Sequence, residues 1–306
     1  MIDTLIEKIK LLGAPIVVGL DPTLEMLPER LKRGNTVQAI SEAFFEFNRE
    51  IIDAVYDLVP AVKPQIAMYE QYGLDGLSAY MKTTEYAKSK GLLVIGDIKR
   101  GDIASTAAAY ATHIGGTMLD EKASGTEANS KRVFLWNEDA VTLNPYLGGD
   151  SVSPFLDVCA QQDKAIFLLV KTSNPGSSDL QDMPLASGKL VYEHVADMVS
   201  AWGEGLIGKY GYSKTCAVVG ATFPQQGREL RKRMPHTFFL VPGYGAQGGS
   251  GADLRGFFDE KGLGCIINSS RGITAAWKKG YTENDVGKAA RDAVHAMAED
   301  LQEAVR

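Results

Sequence analysis

Cysteine is scarce in this 306-residue chain: there are three, an odd number, and none stands in a Cys-x-x-Cys pair. A disulfide framework is therefore excluded. Cys216 and Cys265 each open an apolar run and read as buried fillers. Histidine is equally sparse: His113, His194, His236 and His295 are scattered without metal-ligand spacing, so no metal site is expected. No apolar run approaches the ~20 residues that span a bilayer. The opening MIDTLIEKIKLLG is amphipathic and carries acids, unlike a signal peptide. These absences predict a cytoplasmic protein without a membrane partner. Basic charge is also short, 32 Lys and Arg against 38 Asp and Glu, for a net charge of −6 with no long basic run. That argues against a nucleic-acid partner. Any anionic ligand must be held by a local arrangement.

What is present is ordinary globular composition, 45% hydrophobic and 23% charged. Short apolar runs rich in β-branched residues alternate with longer segments of helical period. Eight strands are predicted, at Ile16–Leu20, Ala61–Lys63, Leu92–Asp97, Ala140–Leu143, Ala165–Val170, Ala217–Val219, Phe238–Val241 and Cys265–Ile267. Most lack polar alternation, as expected of strands covered on both faces. Val37, Ile40, Phe44, Phe47, Ile51 and Val55 trace one helical stripe, and Val286, Ala290, Val294, Met297 and Leu301 trace another. Thr282 and Asp285 offer a capping box before the second. Eight strand–helix units point to a single α/β domain over 1–306. A closed (β/α)8 TIM barrel with an N-terminal helix fits better than an open doubly wound sheet, although periodicity does not report closure. The connections His113–Asn137 and Ser173–Lys189 are long and polar and read as functional loop insertions.

Barrels place reactive groups at the C-terminal ends of strands. Here those ends read Leu20-Asp21-Pro22, Lys63-Pro64-Gln65, Asp97-Ile98-Lys99, Lys171-Thr172-Ser173 and Asn268-Ser269-Ser270-Arg271-Gly272. Period-2 alternation puts Leu93, Ile95, Asp97 and Lys99 on one face, so a carboxylate and an ammonium emerge together. An isolated Asp-x-Lys would read as a structural ion pair. With Asp21 and Lys63 at neighbouring strand ends, the group reads as a reaction site. Asp102 lies close enough to join it or to reach a neighbouring subunit. The glycine-rich Gly243–Gly251, followed by Ser-Ser-Arg-Gly, fits a phosphate site in which backbone N–H groups approach the anion and Arg271 bonds its oxygens. Ser173 is either turn chemistry or a ligand contact.

The run Asp97-Ile98-Lys99-Arg100-Gly101-Asp102-Ile103-Ala104-Ser105-Thr106 resembles the D-x-K-x-x-D-I-x-x-T signature of the orotidine 5′-phosphate decarboxylase family. Gly19-Leu20-Asp21-Pro22, Val62-Lys63-Pro64, the Pro242–Gly249 loop and Ser269–Gly272 resemble its other motifs in the right order, and the length resembles its longer bacterial branch. The resemblance implies a homodimeric barrel that converts orotidine 5′-phosphate to uridine 5′-phosphate and CO2 in pyrimidine synthesis, without a cofactor. Carried over by position, Lys99 would protonate C6, Asp97 would sit beside the substrate carboxylate, and Asp102 would come from the second subunit with Thr106 near the same ribose. Asp21 and Lys63 would contact ribose hydroxyls, Ser173 the pyrimidine edge, and Gln247 with Arg271 and Gly272 the phosphate. No roles are assigned within 117–137 or 177–189.

Three other readings share these residues. A related barrel could decarboxylate a sugar-phosphate keto acid with Mg²⁺, which needs further carboxylate ligands. A Schiff-base aldolase could use Lys99 or Lys171, although flanking acids disfavour a neutral amine. A silent nucleotide-binding barrel would have no reason to keep Lys99 between two acids.

Overall fold

The computed structural model describes residues 1–121, 129–245 and 249–305. Its strands are β1 (Ile16–Leu20), β2 (Ala61–Pro64), β3 (Leu93–Arg100), β4 (Thr117–Glu121), β5 (Asn129–Val133), β6 (Ala140–Leu143), β7 (Ala165–Lys171), β8 (Thr215–Val219), β9 (Phe239–Val241) and β10 (Cys265–Ser269). All except β4 and β5 pair in parallel into one closed barrel. Closure lies in β1, where Val17 pairs with Ala61 of β2 on one side and Asn268 of β10 on the other.

Alternation along these strands sorts the side chains into two cores. Ile16, Val18, Val62, Val94, Val141, Ile166 and Ile267 point outward and pack under the helices. Val17, Ala61, Leu93, Ile95, Ala140, Phe167, Val218 and Leu240 point inward and fill the barrel floor. The same inward columns continue upward into polar groups: Val17 toward Asp21, Ala61 to Lys63, Ile95 to Asp97, Ala140 to Thr142 and Ile266 to Asn268. The polar mouth and apolar floor are thus two ends of one period-2 pattern.

The helix Ile2–Leu12 buries Ile2, Leu5, Ile6 and Ile9 against the inward floor residues and closes that end of the barrel. It stops at Gly13, whose φ of 67° is left-handed and suits a residue without Cβ. The helix Val37–Val55 starts at Thr36, whose side chain accepts the Ala39 N–H at 3.1 Å. Its stripe buries Ile40, Phe44, Phe47, Ile51 and Val55, while Val37, in the unpacked first turn, is exposed. Ahead of the helix Val286–Val305, the Thr282 N–H and hydroxyl both reach Asp285.

One expectation changes. His113–Asn137 is not a plain loop: the helix Ala104–Gly115 runs through His113, and β4 and β5 then form an antiparallel ribbon. The ribbon's sequence hides it, because half-exposed Met118 and Leu119 are adjacent and break the alternation of a one-sided strand.

Candidate active site

Asp97 is the centre of the barrel mouth. Its Oδ2 accepts from Lys63 Nζ at 2.7 Å and from Gln65 Nε2 at 3.0 Å. Its Oδ1 accepts from Lys99 Nζ at 2.5 Å and from Thr142 Oγ1 at 2.8 Å. Four donors from β2, β3, β6 and the residue after β2 fill about all the acceptor sites a carboxylate offers. Asp97 and Lys63 are buried, at 7% and 4% exposure, whereas the Lys99 side chain is 46% exposed.

Burial would push the Asp97 carboxyl up, but the Lys63 and Lys99 ammoniums override it and hold it well below the usual carboxylate range. Burial would likewise push Lys63 down, and the charges of Asp97 and Asp21 override it, leaving Lys63 raised. Both members of the buried pair therefore stay charged at neutral pH.

Asp97 and Lys99 do meet, but not by regular alternation. Gly96 pairs with Val141 and Arg100 with Leu143, so Asp97, Ile98 and Lys99 oppose Thr142 alone. Lys99 takes a left-handed φ of 46° within this bulge. Bulges re-aim side chains beside active sites, and this one turns Lys99 back over Asp97.

A cavity of about 330 Å³ opens above the pair, lined by Asp21, Lys63, Asp97, Gly243, Tyr244, Asn268, Ser270 and Arg271. Asp21 Oδ1 and Asn268 Oδ1 are buried there and accept no hydrogen bond from the described residues. Gly19 is required beneath this wall, since a Cβ would stand 1.8 Å from Ser270 Oγ. The glycine-rich stretch is anchored at both described ends: Tyr244 Oη donates to Asp300 Oδ2 at 2.6 Å and the Gly251 N–H to the same oxygen at 2.8 Å.

Asp21, Lys63, Asp97 and Arg271 thus share one cavity, and Lys99 reaches it through Asp97. Gly272 follows Arg271 in the turn after β10. Ser173 is half-buried after β7, with its carbonyl accepting from Thr222 Oγ1 at 3.2 Å. Asp102 stays out of the array; its carboxylate accepts the Ile103 N–H at 2.8 Å, and Thr106 is exposed on the helix Ala104–Gly115. Gln247 lies outside the described residues. Lys171 does not line the cavity; its ammonium binds Asp182 at 2.8 Å. Sequence reasoning missed Thr142 and Asp300 as parts of the site, and it placed Asn268 at a strand end without giving it a role. Thr142 could have been found by extending the Ala140 column to its top; Asp300 carries no local signal.

Comparison with known proteins adds the lineage. The sequence profile of the family described as orotidine 5′-phosphate decarboxylase / HUMPS matches residues 14–282. A curated relative from Petrotoga mobilis, named orotidine 5′-phosphate decarboxylase, is 44% identical over 305 residues, covering 99% of this chain and 98% of its own. Another of that name, from Rhodopirellula baltica, is 44% identical over 270 residues, covering 87% and 85%. Among solved structures, the OMP decarboxylase of Leishmania donovani superimposes with a TM-score of 0.73 at 30% identity, covering 99% of this chain and 98% of that one.

Proposed function

Because this chain belongs to the orotidine 5′-phosphate decarboxylase / HUMPS family, we propose that it decarboxylates orotidine 5′-phosphate to uridine 5′-phosphate in pyrimidine biosynthesis, without a cofactor, with Lys99 protonating C6. The observation that carries the reading is the buried Asp97 held between Lys63 and Lys99. Within this broad family, the names of the 38–44% identical relatives favour the nucleotide substrate over a sugar phosphate.

The chemistry fits that array. Breaking the C6–carboxylate bond releases CO2 and leaves an electron pair on C6 in the ring plane, where π-delocalisation cannot reach it. An ammonium fixed beside C6 before reaction stabilises the developing charge and then gives it a proton. Enzymes lower barriers by roughly 8–23 kcal/mol, and this reaction calls on the upper part of that range. Asp97, immobilised by four donors, cannot turn away from a substrate carboxylate brought beside it, and release of CO2 relieves that repulsion.

Asp21 Oδ1 and Asn268 Oδ1 are acceptors free for ribose hydroxyls, with Lys63 alongside. Arg271 and the backbone from Gly243, with Gln247 and Gly272, would hold the phosphate. That grip lies away from C6, so its binding energy is available for ordering the site. Ser173 would bond the pyrimidine edge. Asp102 and Thr106 would complete the site of a second subunit in a homodimer. In support, Ile103 beside Asp102 is an exposed apolar residue, and Gly101 lies against Asn144, two residues before exposed Tyr146. The proposed working unit is one barrel domain per chain, in the cytoplasm. Its three cysteines are free, and among the described residues no helix is long and apolar enough to cross a membrane.

The test is loss of the orotate absorbance band on incubation with orotidine 5′-phosphate and EDTA. Turnover in the native protein, and its loss in Lys99→Ala with uridine 5′-phosphate still bound, is the expected outcome. Turnover abolished by EDTA, or undiminished in Lys99→Ala, would overturn the metal-free mechanism or the proton donor respectively.

A further inference from the structure

The β3 bulge leaves three residues opposite one, and that one residue is Thr142. In an uninterrupted strand the Lys99 N–H would face β2, as the Leu93 N–H does in bonding the Pro60 carbonyl; the bulge turns it toward β6. There it bonds Thr142 Oγ1, at 3.1 Å. The same hydroxyl gives its single proton to Asp97 Oδ1 at 2.8 Å. Thr142 is 1% exposed, so water does not compete for either bond. One oxygen therefore fixes both members of the Asp97–Lys99 pair, Asp97 through its carboxylate and Lys99 through its backbone.

The backbone bond matters because Lys99 has φ of 46°, a conformation that L-residues avoid unless their surroundings impose it. The ammonium sits on a long, half-exposed stem, and the direction in which that stem leaves β3 is set by the Lys99 backbone. Rotation about φ would swing Nζ away from Asp97 and from whatever lies above it.

We propose that Thr142 is a positioning residue for the decarboxylation: its hydroxyl, as simultaneous acceptor from Lys99 and donor to Asp97, sets the aim of the proton-donating ammonium. The inference rests on the reading of Lys99 given above. It requires a side chain that both donates and accepts, so serine can replace threonine here and valine, of nearly equal shape, cannot.

The test compares Thr142→Val and Thr142→Ser with the native enzyme, alongside Lys99→Ala as the control for the underlying reading. For Thr142→Val, kcat is expected to fall roughly 10- to 100-fold, the scale of an ångström-level misplacement. KM and the affinity for uridine 5′-phosphate should stay within about threefold, because ground-state binding is untouched. Thr142→Ser should recover most of the lost kcat. Native kcat in Thr142→Val, with Lys99→Ala inactive, overturns the inference and leaves the proton donor standing; an active Lys99→Ala overturns both. Equal losses in the Val and Ser variants, or a loss shared by nucleotide affinity, would mark Thr142 as packing alone and also overturn it. If Thr142→Val does not fold, Thr142→Ala removes the same two bonds without adding atoms and takes its place. Failure of both to fold would assign the hydroxyl to stability and overturn the positioning role.

Discussion

Lys171 Nζ, with no solvent exposure, lies 2.8 and 2.9 Å from the two carboxylate oxygens of Asp182. Ser177 Oγ lies at 3.2 Å, and the rings of Phe223 and Tyr192 lie at 4.5 and 5.7 Å. Next to Asp182, Gln181 accepts the Thr172 N–H at 2.9 Å and donates to Thr172 Oγ1 at 2.7 Å. The insertion after Ser173 therefore folds back and clamps the strand end from which Ser173 projects. Removing the acid strands a buried ammonium. Asp182→Ala is expected to destabilise the protein by about 3–5 kcal/mol in urea unfolding. Lys171→Met in the same background should recover much of that loss; no recovery would mean that the pair is not what anchors the insertion.

The Asp97–Lys63 pair sets a stability window with a definite sign. A carboxyl held below its unfolded value adds stability that is complete above about pH 4 and drains away as pH falls toward the folded value. A lysine held above its unfolded value adds stability that is complete below about pH 10 and drains away as pH rises through the folded value. Asp97→Asn leaves buried Lys63 with only the more distant charge of Asp21 and should cost about 3–5 kcal/mol at pH 7. The difference in urea midpoint between native and variant protein should shrink as pH drops below about 4. A difference that is constant from pH 7 to pH 2 would exclude the carboxylate as its source.

Arg271 lines the cavity just after β10, the strand beside β1. Losing a bond to a charged group costs about 1.5–3 kcal/mol. Arg271→Ala should therefore weaken uridine 5′-phosphate binding roughly 10- to 100-fold in calorimetry. The affinity for uridine, which lacks the phosphate, should not change. Equal weakening of both ligands would remove Arg271 from the phosphate site.

Two inactive proteins should rescue each other if Asp102 works across an interface. Mixing Lys99→Ala with Asp102→Ala, after unfolding and refolding together, forms hybrids in which one site carries both native residues. Half the dimers are hybrids and half their sites are intact, so activity should reach about a quarter of native. No rescue, with dimers present, would place Asp102 at its own chain's site.

The barrel and most of the mouth are legible in the sequence because both follow from period 2. The columns Val17–Asp21, Ala61–Lys63 and Ile95–Asp97 change from apolar to charged at the height where the barrel opens. The bulge is not legible: Leu93 to Lys99 reads as unbroken alternation, and only the pairing of Gly96 with Val141 and Arg100 with Leu143 exposes the extra residues. Thr142 is hidden for a related reason, since a threonine within a strand looks like β-branched filler. Lys171 ends its strand as Lys63 does, but β7 also shifts register, between Leu169 and Lys171, and the side chain departs for Asp182. Asp300 acts on the glycine-rich stretch across some fifty residues, as its bonds to Tyr244 and Gly251 show, and such pairing leaves no local trace.

The helix Ile2–Leu12, packed under the barrel floor, makes the chamber a cul-de-sac. On the proposed reading, nucleotide, gas and solvent would all pass through the mouth at the other end. A phosphate gripped at the rim by Arg271 would keep the pyrimidine in that mouth while CO2 forms beneath or beside it. The leaving gas would then have to pass the ring it came from, and until it did so recapture would compete with protonation at C6. Fast proton delivery in such a blind-ended vessel would do more than finish the reaction: it would make the departure irreversible.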